Sequence, residues 1–141
     1  MNFLKIAAFG LLCAAAWRAP ADFTTEPLPD HDALFDRQEG WTGADGAASV
    51  PLAGGKVLWL FDDSWIGSIQ DGKHINASMV SNTVAIQSKS ASSAIEFYHG
   101  MRNGKPAQFF FPADGKGLFW PSSGISTEKG LYLFMNRILK K

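Results

Sequence analysis

Two short apolar runs limit what this chain can fold into. Val57-Leu58-Trp59-Leu60-Phe61 follows a Gly54-Gly55 pair and stops at Asp62-Asp63. Leu131-Tyr132-Leu133-Phe134-Met135 follows Gly130 in the same way. Both are too short for a stable helix and rich in residues that suit strands. The first run, apolar at every position, opened by a glycine turn and closed by Asp62-Asp63, fits a strand covered on both faces. Around the first run, residues 47–52, 81–87 and 94–98 read as further strands. Gly54-Gly55 reads as a hairpin turn and the small, polar residues 88–93 as a hairpin loop. Residues 119–126 and 130–138 then resemble a new first and second strand. No helix stands out beyond residue 21.

The N-terminus reads differently. Lys5 supplies a positive start, residues 6–16 are apolar or small, and Ala19-Pro20-Ala21 offers small residues at a cleavage site. That is the three-part pattern of a secretory signal peptide over residues 1–21. The apolar run is too short for a bilayer, which needs about 20 residues. The alternative is a buried N-terminal helix. Leu12 before Cys13 fits lipoprotein processing poorly. Cleavage after Ala21 leaves 120 of the 141 residues and no cysteine, with eleven basic against thirteen acidic side chains, a formal charge of −2.

That balance points to no nucleic acid, and to no membrane after signal cleavage. Without cysteine there is no disulfide framework and no Cys-rich zinc module. A hydrophobic fraction of 46% excludes a disordered tail. His31, His74 and His99 are scattered without metal-ligand spacing, so no metal and no cofactor is expected. There is also no phosphate loop, dinucleotide fingerprint or serine elbow. Residues 22–36, with Pro27 and Pro29, read as an extended lead-in, and 37–141 as the folded body. The location implied is secreted or periplasmic.

Four antiparallel strands followed by a restart are the layout of one β-propeller blade and the beginning of the next. A small sandwich fits the pattern equally. A blade takes about 40 residues and a ring about 4 to 8 blades, so 120 residues hold an incomplete ring. The expectation is an all-β front piece of a longer protein, with open strand edges through which it self-associates.

The segments Gly40-Trp41-Thr42-Gly43-Ala44-Asp45-Gly46-Ala47-Ala48-Ser49-Val50-Pro51-Leu52 and Val57–Gly67 are distinctive. Together they resemble the start of an uncharacterised family of secreted five-bladed propellers. That family is similar to the glycoside hydrolases that include invertases, levansucrases and arabinanases. Ser81-Asn82-Thr83-Val84-Ala85-Ile86 and Phe119-Trp120-Pro121-Ser122-Ser123-Gly124 extend the likeness, which runs from about residue 34 to 138. Asp62-Asp63 departs from it, because the family more often carries Gly-Asp there.

The resemblance implies a carbohydrate partner and an acid on the innermost strand of the first blade, acting as nucleophile or base. Asp45 matches that position, between Gly43 and Gly46. An Asx turn ahead of the strand is the plainer reading. Asp63 is the matching second acid and Asp62 its variable neighbour, although a turn role serves either equally well. Asn82 opens its strand and suits either a hydroxyl or the local turn. Trp41 and Trp120 offer rings for sugar stacking, with packing between sheets as the alternative. Trp65 is a weaker candidate of the same kind, and Trp59 belongs to the core. Glycoside hydrolysis uses two carboxyl groups. The family places its general acid on a later blade, and Glu96 and Glu128 are substitutes by residue type alone. A chain of this extent is therefore expected to be inactive by itself. The competing function is a non-catalytic secreted β-protein that binds carbohydrate or a protein partner.

Overall fold

The computed structural model describes residues 24–88 and 94–139. The segment 1–21, expected to be a signal peptide, and all but Ser88 of the 88–93 loop lie outside the described residues.

Among the described residues, the protein is all-β apart from one helical turn, α1 (Pro29–Asp32), and a 3-10 turn at Ala53–Gly55. Four strands make the central antiparallel sheet. They are β2 (Ala48–Pro51), β3 (Val57–Phe61), β6 (Thr83–Gln87) and β7 (Ile95–Tyr98), in that spatial order. These are the four strands expected from the sequence, trimmed by one or two residues.

Each strand of this sheet sends alternate side chains to opposite faces. On β3, Leu58 and Leu60 join Val50 and Val84 in one cluster, with Ile86, Phe110 and Leu133 against it. Phe61 turns the other way, to Trp41, Ile66, Val80, Ala85 and Ile95, with Trp59 and Phe97 alongside. The apolar run is therefore covered on both faces, as expected.

The first face carries β10 (Leu118–Thr127) and β11 (Gly130–Ile138), a long antiparallel hairpin. Its inner face supplies Leu133 to the Val50 cluster. Its outer face leaves Ile125, Tyr132 and Phe134 at 53%, 50% and 57% exposure.

The second face is covered by a three-stranded sheet, in the order β1 (Glu39–Ala44), β4 (Ser64–Gln70) and β5 (Lys73–Val80). Apolar content does not reveal it, because β5 is mostly exposed and polar. Its turn is nonetheless written locally: Asp71 and Gly72 have φ of 51° and 70° and join the paired residues Gln70 and Lys73. That is the positive-φ pair of a two-residue hairpin. Asn103-Gly104, with φ of 52° and 74°, makes the same turn between β8 (Gly100–Arg102) and β9 (Lys105–Ala107).

The lead-in is corrected. It was expected to be extended and unpacked, but Pro29 starts the one-turn α1. That turn delivers Leu34 and Phe35 to the core. The Phe35 ring meets Trp59 edge-on at 5.1 Å, while Trp41 and Phe97 stack at 4.3 Å. Two apolar residues at the end of a polar stretch were enough to anchor it. Among the described residues, no helix is long and apolar enough to cross a membrane.

Candidate functional site

Two of the three connections between the three-stranded and central sheets are β1 to β2 and β3 to β4. Because β1 pairs with β4 and β2 with β3, both connections fall at one end of the layers. The first carries Asp45 and the second Asp62 and Asp63. Asp45 N–H donates to the Asp63 carbonyl at 3.1 Å, and Asp62 N–H donates to the Asp45 carbonyl at 3.0 Å. The pairing brings together three aspartates from two distant turns.

The Asp62 carboxyl is perturbed by this setting. Its Oδ1 is buried and has no hydrogen-bond partner among the described residues. Burial first, then the charges of Asp45 and Asp63, push its pKa up from 3.8 to about 6. Gly46 makes the arrangement feasible. It has φ of +61°, and a Cβ there would collide with the Asp62 carboxylate. Asp45 itself is exposed.

A buried hydrogen-bond chain holds this turn. Trp41 Nε1 donates to Thr83 Oγ1 at 3.1 Å, Thr83 to Ser64 Oγ at 2.8 Å, and Ser64 to the Asp62 carbonyl at 2.7 Å. Donor direction follows from the ends, since indole N–H only donates and the carbonyl only accepts.

Asp63 faces the other way. Its Oδ1 accepts from Trp120 Nε1 at 3.1 Å. Both residues line an open cleft of about 1120 Å³ between the β8–β9 hairpin and the turn entering β10. Asp45 and Asp62 do not line this cleft. A hollow of about 620 Å³ beside α1 touches none of the expected site residues.

Two expected sugar contacts are corrected. Trp41 is only 6% exposed and stacks on Phe97, although it borders a hollow of about 350 Å³. Its ring packs between sheets and its N–H begins the chain to Asp62, so it positions the turn. Asn82 is fully buried. Its amide donates to the carbonyls of Phe110 and Phe119 and accepts from Phe110 N–H, leaving nothing for a ligand. Trp65 stacks on His74 at 4.7 Å on the three-stranded sheet. Glu96 accepts from Tyr98 on the exposed face of β7, and Glu128 sits in the exposed β10–β11 turn. Neither accompanies Asp63 in the cleft lining. Among the described residues, no group of three or more His, Cys, Asp or Glu side chains is placed to hold a metal ion.

Asp62 is the residue that sequence reasoning undervalued. An acid directly after a buried strand, beside a second acid, was the available signal.

No curated protein matches the chain significantly. Among solved structures, a candidate hydrolase from Bacteroides ovatus ATCC 8483 shares its fold, with a TM-score of 0.67 and 18% identity. The match covers 79% of this chain but only 34% of that one, so the chain spans about a third of its structural relative. A family profile matches residues 29–141, nearly the whole described region. The chain thus belongs to the DUF5005 family, a domain of unknown function.

Proposed function

We propose that this chain is the front part of a secreted, glycoside-hydrolase-like five-bladed β-propeller that acts on carbohydrate. The observation that carries the reading is the aspartate trio at the two sheet connections. There Asp62 holds a proton up to about pH 6, next to the charges that raise it. Neighbouring carboxyl groups are what acid–base chemistry on a glycosidic bond uses. The layering supports it too. A four-stranded antiparallel sheet with the next hairpin packed on its face suits one blade and the start of a second.

Asp45 is then the nucleophile or base, reached from the exposed end of the turn. Asp63 is a supporting acid that fixes Trp120, whose ring is the sugar platform of the cleft. On the family resemblance, the general acid sits on a later blade. The leader pattern around Lys5 supports export to a secreted or periplasmic location, and the open edges support self-association.

Calorimetry of the purified protein against a panel of oligosaccharides tests the reading. The expected result is binding without turnover, weakened about tenfold or more by Trp120→Ala, the usual effect of losing a buried aromatic anchor. Asp45→Asn is expected to weaken it as well. Failure of the intact protein to bind any glycan overturns the proposal. Turnover is expected only from the full natural secreted product. A full product that binds glycans but leaves all of them intact would be a binding module instead.

A further inference from the structure

The cleft beside Trp120 has a charge opposite to that of the protein around it. Its lining contains Arg102, Lys105 and Lys116 against the single acid Asp63, a formal +2. The chain after residue 21 carries −2. The three cations come from two separate elements. Arg102 and Lys105 are the paired residues flanking the tight Asn103-Gly104 turn of the β8–β9 hairpin. Lys116 comes from the turn entering β10, across the cleft.

Among the described residues, none of the three is held in an ion pair. Asp114, two residues from Lys116, is engaged by Arg137 through both carboxylate oxygens at 2.6 Å. That is the only ion pair among the described residues. One oxygen of Asp63 already accepts from Trp120. The Arg102 guanidinium lies 5.7 Å over the Phe111 ring, which steadies its plane without using its N–H donors.

From this arrangement we propose that the cleft is a subsite for an acidic sugar, a hexuronate within a glycan chain, bound by Arg102, Lys105 and Lys116 with Trp120 under the ring. The assignment rests on the carbohydrate reading above and narrows its substrate class. A planar guanidinium matches a carboxylate in two-point geometry, and the two lysines add field without demanding fixed geometry. Trp120 supplies the flat apolar surface that a sugar's C–H face needs. The remaining oxygen of Asp63 is free to accept from a hydroxyl. At about 1120 Å³ the cleft exceeds a typical single small-ligand pocket, which suits an oligosaccharide. A nucleic acid would call for a longer basic stripe than three cations provide.

The test is calorimetry with oligogalacturonate and with the same oligosaccharide after its carboxyl groups are reduced to neutral hydroxymethyl groups. A sulfated oligosaccharide and a single-stranded oligonucleotide complete the set. The acid form is expected to bind, to weaken at least about tenfold on carboxyl reduction, and to weaken with added salt. Arg102→Ala, Lys105→Ala and Lys116→Ala should each cost about three- to fivefold, the scale of a solvent-exposed charge pair. Lys56→Ala makes the same charge change outside the cleft and should cost nothing. All four positions are exposed, so folding should survive.

Equal binding of the acid and reduced forms overturns this assignment and leaves the carbohydrate reading standing. Preference for the sulfated sugar or the oligonucleotide also overturns it. Binding to no glycan of any kind removes both.

Discussion

At the scale of single residues, Asp62 and Gly46 form one unit. The Asp62 pKa is raised in the folded protein, from 3.8 to about 6. The folded state therefore holds more protons than the unfolded state between those values. Stability from this group is fully present below pH 3.8 and is lost as pH rises through about 6. Asp62→Asn should remove that loss. We expect it to stabilise the protein at pH 7 by about 1 kcal/mol, since solvent reaching a part-exposed carboxyl limits the effect. At pH 3.5 the gain should vanish. Urea denaturation at the two pH values checks this, and an equal gain at both would contradict it. Gly46→Ala should act in the opposite sense. It combines a strained positive φ with a collision against the Asp62 carboxylate. A loss of about 1–3 kcal/mol is expected in the same assay.

At the scale of elements, Asn82 fastens the 108–112 loop and β10 to the start of β6. Its side chain makes three buried hydrogen bonds to backbone groups of those two segments. Asn82→Ala would leave two carbonyls and one N–H without this partner, so we expect a cost of about 3 kcal/mol. Asn82→Asp should fare no better, because a carboxylate would face the carbonyls of Phe110 and Phe119. Thermal unfolding of the two variants decides this, and wild-type stability in both would refute the clamp role. The same contacts set the far wall of the cleft, since Trp120 follows Phe119 directly. Asn82 thus shapes the candidate site without touching a ligand.

At the scale of the whole molecule, the outer face of the β10–β11 hairpin has no covering layer among the described residues. Ile125, Tyr132 and Phe134 are each half exposed or more on one face. Exposed apolar strands with free edges favour association between chains. Sedimentation should show an average mass that rises with protein concentration. Phe134→Lys should bring it back towards the monomer. Ideal monomer behaviour of the unmodified protein at every concentration would count against association through this face.

The six strands of the central sheet and its following hairpin were legible in the sequence, because short apolar runs bounded by glycine and aspartate act locally. The β1-β4-β5 sheet was not read that way, since its strands are half solvated. Its Asp71-Gly72 turn was the local sign that remained. The candidate site divided along the same line. Trp41 and Trp120 sit in similar sequence surroundings, each near glycine or proline at a strand. One is sealed between sheets and the other lines a cleft. Asn82 looked like a ligand contact and became a clamp, because its partners lie 28 and 37 residues away. Strand identity in the central sheet and the hairpin was thus decided by the sequence alone, through alternation and turn chemistry. Which acids meet, and which rings stay accessible, was decided only by the stacking of sheets, because burial depends on what lands on each face from far along the chain.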